Sequence, residues 1–60
     1  MRKSDIVTVT CYGRTETMTR GKAMAKYLEG MMCCDGSEQE RYATIYYRLA
    51  AGLINVNDRI

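Results

Sequence analysis

Residues Asp5–Tyr12 alternate strictly: Val7, Val9 and Cys11 fall on one side, and Ile6, Thr8, Thr10 and Tyr12 on the other. β-branched residues at a period of two predict a half-buried strand. Gly13-Arg14 follows, a Gly-X pair suited to a type II′ turn in which Gly takes the positive φ. Thr15–Met18 then returns as a short second strand, with Met18 beside Val9. A plain loop over 13–18 is the other reading, and the Gly-X pair favours the hairpin.

From Thr19 the period changes. Thr19 is a residue type that caps the free N–H groups of a first helical turn. Met24, Tyr27, Leu28, Met31 and Met32 then recur at helical spacing as one apolar stripe, with Lys22, Lys26 and Glu29 off it. Cys33-Cys34-Asp35-Gly36 reads as a connection. Ser37-Glu38-Gln39-Glu40 has the form of a capping box, in which Ser37 and Glu40 exchange hydrogen bonds with each other's backbone N–H. Tyr42, Ile45, Tyr46, Leu49 and Leu53 make the second stripe, Gly52 is the natural stop, and Leu53–Asn57 can form a short terminal strand. Tyr47 lies off the stripe as a surface aromatic. The expected fold is α+β, a single domain over residues 1–60: an N-terminal strand or hairpin, two packed antiparallel helices and a possible short C-terminal strand.

Length and composition narrow the function. A chain of 60 residues has a small core. It contains no His, which removes the commonest general base and metal ligand. Cys33 and Cys34 are adjacent and Cys11 is an element away, so the thiols lack the C-x₂₋₄-C spacing of a zinc site. The sequence therefore predicts no metal, no cofactor and no enzyme. Three cysteines, an odd number, fit reduced thiols in a cytoplasmic protein. The segment after Arg2 and Lys3 is strand-like rather than an apolar core of a secretory signal, and no stretch is long enough to span a membrane.

Charge is unevenly distributed. Residues 1–26 carry six basic and two acidic side chains, and residues 27–60 carry three basic and five acidic. Such a dipolar chain can present a basic face to an anionic partner, and a solvated surface with ordinary charge scatter is the other reading. Arg14, Arg20, Lys22 and Lys26, with Tyr47, are the candidate partner-binding residues. A strand followed by two helices is also the element order of ribbon-helix-helix DNA-binding regulators, whose strands pair across a dimer and enter the major groove. Thr8, Thr10 and Tyr12 would then face the bases, and Gly36-Ser37 would open the helix that meets phosphate. Glu38 and Glu40 at that helix start oppose a phosphate backbone, and the strand offers no Arg or Lys at its alternating positions. DNA binding is accordingly the second reading. The thin core and the alternating strand together predict a homodimer.

The runs Cys11–Arg20, Ala25–Met31 and Cys34–Glu38, followed by Glu40-Arg41-Tyr42 and Ile45-Tyr46, carry a resemblance across residues 11–52. The chain resembles small uncharacterised proteins of Gram-positive gut bacteria, their phages and conjugative elements. The resemblance implies a genetic setting rather than a chemistry. It points to an accessory protein of a mobile element, a class that includes inhibitors of host defence proteins, with a host protein as its partner.

Overall fold

A computed structural model describes residues 2–59. The chain is α+β and runs β1 (Ile6–Cys11), β2 (Arg14–Thr19), α1 (Arg20–Cys33), α2 (Gly36–Ala50) and β3 (Asn55–Asn57). The three strands form one sheet in the order β2-β1-β3. β2 is antiparallel to β1 and β3 is parallel to it.

The alternation in β1 does what its period requires. Val7 and Val9 are buried against the helices, while Ile6 stays exposed on the outer face. The turn sits one residue earlier than the Gly13-Arg14 reading. Cys11 pairs with Arg14, so Tyr12 and Gly13 are the central residues, with φ of 53° and 76°. Positive φ at both positions makes this a type I′ turn, whose twist matches that of the flanking strands. The shift also moves the register: Met18 lies opposite Val7, and Glu16, not Met18, lies opposite Val9.

Thr19 caps α1 as expected, its hydroxyl accepting from the Lys22 N–H at 3.3 Å. The Arg20 and Gly21 N–H groups donate to the carbonyls of Asp5 and Lys3. The inward line of α1 is rotated from the predicted stripe. Arg20, Ala23 and Tyr27 are buried, whereas Leu28 is exposed and Met32 is 77% exposed. Two features escaped the apolar stripe: Ala23 is small enough to vanish into the interface, and Arg20 is a charged residue with buried partners. The Cys34–Asp35 connection brings α2 back along α1. There Gly30 passes so close to Tyr42 that a Cβ on it would lie 3.0 Å from the ring.

The capping box does not form. α2 starts at Gly36 with Asp35 as N-cap and no side-chain cap bond, so Ser37 already lies inside the first turn. A box needs its Ser in the non-helical cap position. At the other end Gly52 does stop the helix. With φ of 99° it donates to the Leu49 carbonyl, and Leu53 N–H donates to that of Arg48, the two bonds of a Schellman motif. Leu53 follows this reversal and is exposed rather than in the core stripe. Ile45, Leu49 and Val56 complete the core with Val7, Val9, Ala23 and Tyr27.

Because β3 adds to the free side of β1, the strand 5–12 is central and both its edges are occupied. A homodimer or a DNA-reading ribbon built on pairing of that strand has no edge to use. The unpaired edges of the sheet belong to β2 and β3.

Candidate functional site

The sheet turns one face to the helices and one to solvent. In register, Ile6, Thr8 and Thr10 of β1 stand beside Thr19, Thr17 and Thr15 of β2, and Thr8 and Thr10 also stand beside Asn55 and Asn57 of β3. This outer face carries no charge. Charge is concentrated on the helix side of β2, where Arg14 and Glu16 project toward α1.

There a cleft of about 280 Å³ opens between the hairpin and the helices, lined by Cys11, Arg14, Glu16, Lys26, Tyr27 and Tyr42, with Tyr12 at its rim. A second hollow of about 430 Å³ continues it along β2 and α1, lined by Glu16, Thr17, Met18, Lys22 and Lys26. The Lys26–Glu16 ion pair, at 2.7 Å, separates the two. Lys26 lowers the Glu16 carboxyl pKa through its hydrogen bond and charge, and Arg14 and Lys22 add to the effect. Three cations therefore surround one carboxylate that is already paired. Among the described residues, neither Arg14 nor Lys22 has an ion-pair partner.

The structure thus brings Arg14, Lys22 and Lys26 together and separates the other two candidates. Tyr47 is exposed on α2 with its ring against Tyr46, away from either hollow. Arg20 is not a surface residue at all: it is 2% exposed. Its Nη1 donates to the carbonyls of Leu49 (2.6 Å) and Leu53 (3.0 Å), and its Nη2 to that of Gly52 (3.3 Å). A guanidinium fork at a helix C-terminus satisfies free carbonyls and opposes the negative end of the dipole. Arg20 is a structural clamp, and its place on a basic face is corrected.

One residue at the site enters the sequence reading only as a base-facing side chain of the DNA-binding alternative. Tyr12 holds the left-handed conformation that a bulky side chain avoids. It is fixed there from two sides. Its N–H donates to Asp58 Oδ2 at 3.0 Å, and the Arg41 guanidinium, itself paired to Asp58, lies 4.2 Å from its ring centroid. Half its surface remains exposed at the hairpin tip. Backbone strain of this kind persists where the surroundings hold it, often at sites of function.

Burial raises the Cys11 thiol pKa, aided by Asp58, and burial with a bond to Glu38 raises that of Cys34. Burial also pushes the Tyr27 hydroxyl up to about 12. These groups are protonated at neutral pH, and two of them, Cys11 and Tyr27, line the cleft. All three thiols are free, and among the described residues no three His, Cys, Asp or Glu side chains converge as metal ligands. No helix among those residues is long and apolar enough to cross a membrane. No protein-family model, curated protein or solved structure matches the chain.

Proposed function

We propose that the chain is a non-enzymatic protein-interaction module that docks on a host protein through the basic rim of the β2–α1 groove. The observation that carries this reading is the convergence of Arg14, Lys22 and Lys26 beside the exposed Tyr12. Tyr and Arg are the side chains that most often anchor protein interfaces. A chain without His and with its thiols held protonated supports a role in binding rather than catalysis. The resemblance to mobile-element proteins makes a host defence component the partner class we favour, with inhibition as the outcome. Two points weigh against the DNA-binding reading. β1 has no free edge for an intermolecular ribbon, and Glu16 stands among the cations that would have to meet phosphate.

The test is affinity capture from lysate of a Gram-positive host, comparing the wild type with an Arg14→Glu/Lys22→Glu/Lys26→Glu variant of equal helicity. Arg20 is left in place because it is buried. The wild type is expected to retain a host protein that the variant loses. Capture of the same protein by both would overturn the assignment. So would salt-sensitive binding to duplex DNA tighter than roughly 10 μM, the regime of phosphate-neutralising proteins.

A further inference from the structure

The groove has a third wall that side chains alone do not describe, the open backbone edge of β2. In a two-residue hairpin the closing pair is hydrogen-bonded, and bonded and non-bonded pairs then alternate along the strands. Cys11–Arg14, Val9–Glu16 and Val7–Met18 are accordingly the bonded pairs. The N–H and C=O groups of Thr15 and Thr17 therefore point away from β1, into the open edge. Residues 14–17 of that edge are exposed. It contains no proline and no bulge, and of the devices that blunt such an edge it carries only the helix-facing charges of Arg14 and Glu16, which leave the backbone groups open.

We propose that β2 receives an extended acidic segment of the partner as a fourth strand, its backbone pairing with Thr15 and Thr17 and its carboxylates meeting Arg14 and Lys22. The proposal rests on the interaction reading above and names its mode. Strand addition draws affinity from main-chain bonds and specificity from pockets for alternate side chains. Both are present here. Alternate residues of an added strand stand about 6.5–7 Å apart on one face. The two hollows lie side by side on the helix face of β2, divided by the Lys26–Glu16 bridge. One carboxylate reaches Arg14 in the first hollow, and the next reaches Lys22 in the second. Of the three cations that line the hollows, those are the two without ion-pair partners among the described residues.

A second copy of this chain fits the edge less well. Pairing of β2 with itself sets the Arg14, Lys22 and Lys26 groups of both copies against one another, with one carboxylate apiece already engaged. Nucleic acid fits less well again. A phosphate backbone offers acceptors to the Thr15 and Thr17 N–H groups but no donor to their carbonyls, and it meets Glu16 in the groove.

The experiment selects binders to the full chain from a random peptide library displayed on phage. It then measures the enriched peptides against wild type, Thr17→Pro and Arg14→Glu/Lys22→Glu. Thr17→Pro removes an outward N–H and no ladder bond, so the sheet is kept. Enriched peptides are expected to alternate acidic residues with β-formers and to lose about tenfold in affinity or more in either variant. On wild type, the Thr15 and Thr17 amides are expected to gain hydrogen-exchange protection when peptide binds, a readout independent of whether the proline variant folds. Peptides without acidic alternation, no enrichment, or unchanged Thr15 and Thr17 exchange would each overturn the proposal. Light scattering showing a dimer that Thr17→Pro dissolves would assign the edge to a second copy instead. If host-protein capture depends on Arg14, Lys22 and Lys26 while these edge measurements fail, the interaction reading stands and strand addition alone is refuted.

Discussion

Arg20→Met tests the clamp and separates two roles that the sequence cannot tell apart. The substitution keeps a long unbranched side chain in α1 and removes the fork that binds the carbonyls of Leu49, Gly52 and Leu53. Hydrogen bonds from a charged donor contribute about 1.5–3 kcal/mol each. The three do not add in full, because removing the guanidinium also removes its desolvation penalty. Leu49 O keeps the Gly52 N–H bond of the Schellman motif, so Gly52 and Leu53 lose the most. A net loss of about 3 kcal/mol follows from these terms.

For a chain of 60 residues that is a large part of the total, which is about 3–9 kcal/mol for this length. At about 4–8 °C per kcal/mol in a domain this small, the melting temperature falls by roughly 12–24 °C. Thermal unfolding followed by circular dichroism gives the number. Arg20→Lys keeps the charge but not the fork and is expected to fall between. A drop below about 4 °C would refute the clamp, since it equates to less than 1 kcal/mol. A surface contact residue gives the opposite pattern: an unchanged melting temperature with weakened partner binding.

Thr19→Ala is expected to cost about 1 kcal/mol through loss of the bond to Lys22 N–H, whereas Ser37→Ala changes stability by less than about 0.5 kcal/mol. Urea midpoints in the reverse order would place the caps wrongly. Gly13→Ala is expected to destabilise by about 1 kcal/mol because its φ of 76° is strained for any L side chain. No neighbouring atom lies within 4 Å of the added Cβ, so the same loss in a Gly13→Ser variant would confirm a backbone origin. Asp58 titrates below the ordinary aspartate range because the Tyr12 N–H and Arg41 favour its charged form. Its contribution is present above an unfolded pKa of about 3.9 and drains away as pH falls through the lower folded value. Asp58→Asn should flatten that acid limb of the stability curve, and an unaltered limb would mean that the carboxylate is unpaired.

The elements were legible because their signals are local. Alternation at Val7 and Val9, the Thr19 cap and Gly52 act within a few residues, and each appears where the pattern puts it. The exceptions are positions decided by distant partners. A turn read from Gly13-Arg14 moves onto Tyr12 because Asp58, which lies far along the chain, holds the Tyr12 N–H. The inward line of α1 rotates because carbonyls at the end of α2 make burial of Arg20 favourable. Neither partner is visible from composition. The site was half legible for the same reason: Arg14, Lys22 and Lys26 were named from charge, but Tyr12 enters through a backbone conformation with no sequence signature of its own.

The two long-range polar locks sit at opposite ends of β1. Arg20 fastens the end at Asp5 to the turn after α2, and Tyr12, Arg41 and Asp58 fasten the hairpin tip to the tail after β3. A core this small gains definition from such fixed points where apolar area is scarce. Their placement leaves β2 different from the rest of the sheet. Beyond the Thr19 cap and the partly buried Met18 at its far end, its side chains reach α1 through one ion pair, Lys26–Glu16, both of whose members are about half exposed. An exposed pair of that kind is screened by solvent and contributes little to stability. The strand is therefore anchored firmly at its two ends and lightly along its outer edge, where a partner can rearrange the groove side chains without disturbing the core. An edge offered on a rigid frame, with its cations free to turn, is the mechanical condition that strand addition requires.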